Sequence, residues 1–279
     1  MGHERVDDPA RWTATNLVGV PAALLGSTAF NEQPRALQVA GVRDEYRGLF
    51  DLLERSPSLA ESRALFASYM NTVFALSRTR ERIAHDAEEP APARRWRPSY
   101  LKLLQGWGLD ANGGAGAVLK GWAQSRFGLL PVFHKAPLQR FPSPAWITYL
   151  EEKAAGRWDG NHIFQQLDLL YEFCQWALRR HALMGAGPRV ALWRGSNRCE
   201  EQIVEGSLRA RHCTVRLNSV VSFTTTREQA EWFGDWLLCA QVPLSKLLLV
   251  PGLLNTNSLR GEAEVLAIGG LYDVEASYA

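Results

Sequence analysis

The sequence lacks the features that mark several classes of protein. No apolar run in its 279 residues approaches the roughly 20 residues that a membrane-spanning helix needs. The first residues, MGHERVDDPARW, lack the apolar stretch of a signal peptide. The 4 cysteines and 6 histidines show no CxxC, HExxH or other metal-ligand spacing. We therefore expect a cytoplasmic protein with reduced, packed thiols, no membrane span and no metal.

Neither sign of charge is in clear excess. The chain has 31 Lys and Arg residues against 29 Asp and Glu residues, and its net charge is +2. A protein that binds nucleic acid by neutralising many phosphates needs a larger positive excess, so we expect no nucleic-acid partner. Hydrophobic residues make up 46% and charged residues 22% of the chain, which suffices for a buried core and excludes a disordered chain.

Helical periodicity dominates the first two thirds of the chain. Apolar residues recur at helical spacing in the segments 34–54, 58–83, 100–107, 117–126, 144–155 and 161–182. Ser58 followed by Glu61 resembles a capping box and predicts the start of the second helix. Between residues 85 and 98, three prolines and mixed charges predict a linker or a long surface loop.

The pattern changes from helix to strand after residue 187. Short β-type runs follow at 189–193, 214–223, 237–242, 247–250, 264–268 and 271–274, with one helical piece at 226–233. Helices followed by strands favour an α+β fold. We predict a helical N-terminal region over residues 1–98, which is a candidate for docking a partner. A second region over residues 99–279 would hold the leading helices, the strands and the catalytic site.

Three short strings in the strand-rich part carry candidate chemistry, and the first is Arg194-Gly195. An arginine that closes an apolar strand can form forked hydrogen bonds to a phosphate or a carboxylate. The glycine behind it lets a ligand approach backbone groups. The alternative is an ordinary arginine at a strand end, followed by a turn.

The second string is a run of hydroxyl residues, Ser222-Phe223-Thr224-Thr225-Thr226, that leaves a strand and enters a helix. Alternate hydroxyls in such a run can hydrogen-bond an active-site carboxylate or a sugar. The alternative is that these residues reflect β propensity followed by a helix N-cap at Thr226.

The third string is Gly261-Glu262-Ala263-Glu264, which enters an apolar strand. Because residues i and i+2 of a strand share a face, Glu262 and Glu264 present paired carboxylates. Two carboxylates on one face repel each other unless they have a partner or a function. The alternative is a solvated strand edge.

In this order, the three strings resemble the Arg-Ser-Glu class of mono-ADP-ribosyltransferases. The resemblance implies a split β-sandwich around an NAD cleft, with helices packed on it. Members of this class that carry Glu-x-Glu modify arginine. The hydroxyl run departs from the usual Ser-Thr-Ser, so that either Ser222 or Thr224 is the hydroxyl that holds Glu264 in place.

The resemblance also implies roles for individual residues. Arg194 would bind the pyrophosphate of NAD, and Gly195 would hold the nicotinamide carboxamide through its backbone. Glu264 would stabilise the oxocarbenium-like ribose that forms when the glycosidic bond breaks. Glu262 would orient the target guanidinium and help remove its proton, since arginine is protonated at neutral pH.

Aromatic residues follow the hydroxyl run, and Phe233 is our candidate for the nicotinamide pocket. Trp232 and Trp236 are further candidates, although we expect at least two of the three to be core residues. The segment 251–260 leads into the glutamate pair, where this class has its target-recognition loop. Asn255 and Asn257 are therefore predicted to contact the protein substrate, the alternative being ordinary turn chemistry.

Two longer stretches, NLVGVPAALLGSTAFNEQP and WGLDANGGAGAVLKGW, are similar to the dinitrogenase reductase ADP-ribosyltransferase family, and this likeness covers essentially the whole chain. It implies that ADP-ribose passes from NAD to one arginine of the nitrogenase iron protein. Nicotinamide is released, and the modified iron protein no longer docks on its electron acceptor, so nitrogen fixation is switched off. A PII-type signalling protein is the implied regulator.

Three other functions stay open on the sequence alone. One is transfer of ADP-ribose to an arginine of a different protein, as in toxins and effectors. Another is NAD glycohydrolysis, in which the same glutamate directs water instead of arginine. The third is a catalytically silent module that binds NAD or a partner protein.

Overall fold

The computed structural model describes residues 16–76, 97–155, 157–158, 160–197, 199–254 and 263–279. Helices occupy the first part of the described chain and a large antiparallel sheet occupies the last part, which confirms the α+β prediction. Among the described helices, none combines the length and the apolar composition that crossing a membrane would require.

Five helices lie in the N-terminal region: α1 (Ala22–Leu25), α2 (Thr28–Glu32), α3 (Val42–Glu45), α4 (Arg47–Arg55) and α5 (Leu59–Val73). The predicted start of α5 is confirmed, because Ser58 Oγ accepts a hydrogen bond from the Glu61 backbone N–H at 3.3 Å. The predicted single helix over 34–54 is wrong. Gly41 has a φ of 80°, a left-handed conformation, immediately before α3.

The predicted helix over 58–83 is too long. Helix α5 ends at Val73, and Ala75 then adopts a left-handed conformation with φ 50° that a continuing helix does not allow. Residues 77–83 of the prediction, and most of the predicted linker over 85–98, lie outside the described residues. The division into regions 1–98 and 99–279 stays a prediction.

The second group of helices leads into the sheet. It consists of α6 (Tyr100–Leu109), α7 (Gly114–Phe127), α8 (Pro144–Lys153) and α9 (Ile163–His181), with a two-stranded ribbon of β1 (Phe133–His134) and β2 (Ala136–Pro137) between α7 and α8. Helix α7 packs against α6, α8 and the main sheet, and α9 packs against α5, α6 and the sheet edge. Helix α9 is buried over most of its length.

The main sheet has six strands in the order β4-β5-β3-β6-β8-β7, and all of its pairings are antiparallel. The strands are β3 (Arg189–Ser196), β4 (Ile203–Ser207), β5 (His212–Thr224), β6 (Trp236–Pro243), β7 (Leu247–Leu249) and β8 (Glu264–Tyr278). An additional β5–β8 pairing closes a ring of pairings through β3, β6, β8 and β5. The short helix α10 (Arg227–Ala230) connects β5 to β6.

Strands β5 and β8 are long and change register together. The register shifts between Leu217 and Val220 on β5, opposite Gly269 and Gly270 on β8. A Cβ on Gly269 would lie 1.7 Å from the Asn218 carbonyl oxygen, so the close approach of β8 to β5 at this point requires glycine. The two predicted strands 264–268 and 271–274 are therefore one continuous strand, and β4 is a strand that the sequence analysis did not predict.

Buried side chains from both predicted regions belong to one hydrophobic cluster. Polar contacts also join them. The carboxylate of Glu172 in α9 accepts a hydrogen bond from the Val39 backbone N–H at 2.7 Å and from Arg43 Nε at 2.6 Å. Asn31 donates from Nδ2 to the Leu271 carbonyl oxygen of β8 at 2.8 Å. The N-terminal helices thus pack directly on the sheet and on the helix beneath it.

Candidate active site

The candidate site lies where the end of β3 meets the end of β5 and the start of β8. Trp193 of β3 pairs with Thr224 of β5, and Thr224 in turn pairs with Glu264 of β8. The ends of these strands bring together Arg194, Ser222 and Glu264, which are far apart in the sequence. Each of these three belongs to a different one of the predicted strings.

Ser222 contacts both charged residues of the site. Its hydroxyl donates a hydrogen bond to Glu264 Oε1 at 2.8 Å. Its backbone carbonyl oxygen accepts a hydrogen bond from Arg194 Nη1, also at 2.8 Å. A guanidinium and a carboxylate are therefore held on the two sides of one serine, without forming an ion pair with each other.

The structure distinguishes the two candidate hydroxyls by their contacts. Thr224 lies directly opposite Glu264 in the strand register, yet its hydroxyl donates to Gln229 Oε1 of α10 at 2.8 Å. Ser222 pairs with Leu266, so Glu264 is its diagonal neighbour on the same face. It is this diagonal neighbour that makes the hydrogen bond to the carboxylate, and Thr224 instead anchors the helix that follows β5.

Arg194 has free hydrogen-bonding capacity. Within the described residues, its Nε is buried and has no hydrogen-bond partner. Burial lowers the pKa of its guanidinium below the ordinary value, although arginine stays charged at neutral pH. A buried donor without a partner costs free energy, and a bound anion would remove that cost. The cation is thus suited to an anionic ligand such as a pyrophosphate.

Gly195 is packed so closely that no side chain fits. A Cβ at this position would lie 2.0 Å from the Ala230 carbonyl oxygen of α10. Glycine is therefore needed for the backbones of β3 and α10 to approach each other beside Arg194. Helix α10 also carries Gln229, which accepts the hydrogen bond from Thr224. The Arg194-Gly195 string and the hydroxyl run therefore both contact this short helix.

Two aromatic side chains after α10 are exposed rather than buried. Trp232 is 83% exposed and Phe233 is 69% exposed. Trp236 is only partly buried and packs edge-on against Tyr278. The expectation that at least two of the three are core residues is wrong, because Trp232 and Phe233 lie on a short 3-10 helix, Glu231–Phe233, that has no buried residue. The contact between Phe233 and nicotinamide stays a prediction.

Three predicted site residues lie outside the described residues. They are Glu262, the first member of the glutamate pair, and the two asparagines of the preceding loop, Asn255 and Asn257. The described chain resumes at Ala263, whose carbonyl oxygen accepts a hydrogen bond from the Thr225 N–H at 3.3 Å. The roles proposed for the three residues stay predictions.

One residue in direct contact with the site, Trp107, is not predictable from the sequence. Trp107 of α6 donates from its indole Nε1 to Ser222 Oγ at 2.9 Å. It is the first residue of the WGLDANGGAGAVLKGW stretch, which was noted only as a likeness. Tryptophan at helical spacing predicts core packing, and nothing local to residue 107 indicates a partner 115 residues further along the chain.

One open cavity among the described residues lies away from these site residues. It has a volume of about 460 Å³ and is lined by residues of β4, β5, β6 and β8, among them His212, Asp273 and Glu275. None of the predicted site residues lines it. No group of three or more His, Cys, Asp or Glu residues that could hold a metal occurs in the described parts of the chain.

Comparison with known proteins supplies an independent line of evidence. The family model for dinitrogenase reductase ADP-ribosyltransferase matches residues 15–276. A curated protein of Rhodospirillum rubrum, named NAD(+)–dinitrogen-reductase ADP-D-ribosyltransferase, is 45% identical over 278 residues, which cover 100% of this chain and 99% of that protein. No solved structure matches the chain significantly.

Proposed function

The chain belongs to the dinitrogenase reductase ADP-ribosyltransferase family, and on this basis we propose that it transfers ADP-ribose from NAD to an arginine of the nitrogenase iron protein. The observation that carries the proposal is the hydrogen-bonded set of Arg194, Ser222 and Glu264 at the meeting point of β3, β5 and β8. A cation suited to a pyrophosphate and an oriented carboxylate are the two groups that cleavage of NAD requires.

We propose that these strand ends line an NAD cleft within a split β-sandwich. The ring of pairings through β3, β6, β8 and β5 supports this architecture. So does the shared register shift, because β5 and β8 each pair with different neighbours on its two sides. Arg194 would donate its free Nε–H to the pyrophosphate. The Gly195 backbone, next in the chain, would hold the nicotinamide carboxamide.

Glu264 would act on the ribose. The glycosidic bond to nicotinamide breaks with its electron pair leaving on the pyridine nitrogen, so nicotinamide departs neutral. The ribose becomes cationic, and a fixed carboxylate stabilises that charge. In the described part of the chain, Oε2 of Glu264 has no hydrogen-bond partner, which leaves this oxygen for a ribose hydroxyl.

Glu262 would act on the acceptor. The target guanidinium nitrogen forms a new bond to the ribose carbon and loses a proton, which Glu262 would accept. A carboxylate pair also suits the forked guanidinium better than the compact ammonium of lysine. Asn255 and Asn257 would contact the iron protein around that arginine.

Two further parts of the proposal concern the setting of the reaction. The four cysteines are free thiols, which supports a reducing, cytoplasmic compartment. We also propose a PII-type signalling protein as regulator, with the helical N-terminal region as a candidate docking surface for a partner. This region packs on the sheet through α2 and on α9 through α3, so a bound partner would be coupled to the catalytic fold.

The direct test is incubation of purified iron protein with this chain and NAD, followed by intact-mass analysis and peptide mapping. One ADP-ribose adduct on a single arginine is the expected result. Nicotinamide release without an adduct would favour a glycohydrolase or a different protein target. Neither product, with NAD binding retained, would favour a silent binding module.

The Arg194→Lys variant is expected to raise the KM for NAD about tenfold, because lysine offers a point charge without the guanidinium fork. Nicotinamide release measured against NAD concentration gives this value. The matched control is Arg189→Lys, which makes the same change on the exposed beginning of β3 and should leave the KM within twofold of wild type. An unchanged KM in Arg194→Lys would remove Arg194 from the NAD site.

The Asn255→Ala variant is expected to weaken transfer to the iron protein more than it weakens NAD hydrolysis. The reason is that a target-recognition residue contacts the acceptor and not NAD. Adduct formation and nicotinamide release are measured in the same samples, so the variant is its own control. Equal losses in the two reactions would contradict a recognition role for Asn255.

A further inference from the structure

We propose that Trp107 is a positioning residue for Glu264 and acts on it through Ser222. The indole Nε1 of Trp107 donates to Ser222 Oγ at 2.9 Å, and Ser222 Oγ donates to Glu264 Oε1 at 2.8 Å. This inference rests on the proposed function, since it gives an indirect catalytic role to a residue of the helical part of the chain.

The chemistry of the three groups fixes the direction of the chain of hydrogen bonds. An indole nitrogen only donates, and an ionised carboxylate only accepts, whereas a hydroxyl does both. With Trp107 as donor, the Ser222 oxygen is the acceptor of that bond and its single proton is directed to Glu264. Without the indole, the hydroxyl could rotate toward other acceptors, and Glu264 would lose its fixed partner.

The surroundings of Trp107 hold the indole in place. Trp107 is only 5% exposed, and α6 packs tightly on α7, since a Cβ on the preceding Gly106 would lie 2.6 Å from Ala115 Cβ. The start of α6 is tied to α9 by a hydrogen bond from the Tyr100 N–H to Gln166 Oε1 at 2.9 Å. Ser222, the residue that accepts the indole hydrogen bond, is itself held by a hydrogen bond from Arg194 to its backbone carbonyl oxygen.

The chain offers a matched control for this role. Trp122, at the other end of the same sequence stretch, is fully buried and donates from its indole Nε1 to Asp168 Oδ1 at 2.7 Å. It lies on α7, and Asp168 keeps Arg126 as a second partner. Trp122→Phe therefore removes the same kind of indole hydrogen bond from the core without contacting the candidate site.

The test is a double-mutant cycle on nicotinamide release, with the variants Trp107→Phe, Ser222→Ala and their combination. We expect Trp107→Phe to lower kcat about fivefold to tenfold, the size of one hydrogen bond, with the KM for NAD within twofold. Because Trp107 acts through Ser222, the double variant should be no slower than Ser222→Ala alone. Trp122→Phe should lower thermal stability and leave kcat within twofold.

Two results would overturn the inference. One is an unchanged kcat in Trp107→Phe, and the other is additive losses in the double variant, which would mean that Trp107 contributes only packing. A wild-type chain that neither releases nicotinamide nor modifies the iron protein would instead contradict the proposed function. In that case the indole N–H NMR signal of Trp107, identified by its loss in Trp107→Phe, still tests the contact, because Ser222→Ala must shift it while the Trp122 signal stays in place.

Discussion

Replacing Glu264 with glutamine is expected to lower both nicotinamide release and transfer to the iron protein about a thousandfold. Glutamine has the size of glutamate but no charge, so it cannot stabilise the cationic ribose, and loss of one oriented electrostatic group typically costs this much. Its carbonyl oxygen can still accept the hydrogen bond that Ser222 donates to Oε1. The variant should therefore fold and bind NAD.

The measurement is a time course of both products at saturating NAD, with the free energy of unfolding determined in parallel. The matched control is Glu275→Gln, which makes the same substitution at an exposed position of the same strand and should leave both rates near wild type. Wild-type rates in Glu264→Gln would remove this residue from the reaction. Loss of transfer with full nicotinamide release would instead place it on the acceptor side of the site.

The second large effect is expected from Gly195→Ala, and it concerns stability as well as activity. The added Cβ would lie 2.0 Å from the Ala230 carbonyl oxygen and 3.1 Å from the Gly234 backbone nitrogen. Both neighbours are backbone atoms, which cannot move aside as a flexible side chain would. Helix α10 and the end of β3 must therefore separate, and overpacking of this kind costs about 3 kcal/mol at the upper end of its usual range.

Urea unfolding and nicotinamide release measure the two parts of this prediction. We expect a loss of about 3 kcal/mol in the free energy of unfolding, with little activity remaining in the folded fraction. Gly48→Ala serves as the control, since a Cβ there meets nothing within 4 Å. Gly48 lies in the first turn of α4, so that change should leave the free energy of unfolding unchanged or raise it by less than the roughly 0.5–1 kcal/mol expected in the middle of a helix. Equal stabilities of Gly195→Ala and wild type would contradict the packing described for β3 and α10.

Features set by neighbouring residues were predictable from the sequence. The order of helices and strands follows from apolar periodicity, and the start of α5 follows from the short-range hydrogen bond between Ser58 and the Glu61 backbone. Element lengths were less predictable. Helix α5 ends at Val73, two residues before the left-handed Ala75, and neither a proline nor a glycine marks this end in the sequence. Strand β8 continues through Gly269 and Gly270, a pair that would normally mark a turn. Both glycines are instead required by close packing, Gly269 against the Asn218 backbone of β5 and Gly270 against the backbone of Gly26.

The sequence also determined the composition of the candidate site, because Arg194, Ser222 and Glu264 all belong to strings that were recognisable by residue type. Only the tertiary structure decided how they connect. The register between β5 and β8 places Glu264 opposite Thr224, but Thr224 bonds Gln229 of α10, and the diagonal neighbour Ser222 bonds the carboxylate. The packing of α6 brings in Trp107 from 115 residues away. Caps and periodicity depend on residues a few positions apart, whereas strand register and helix docking depend on how the whole core packs.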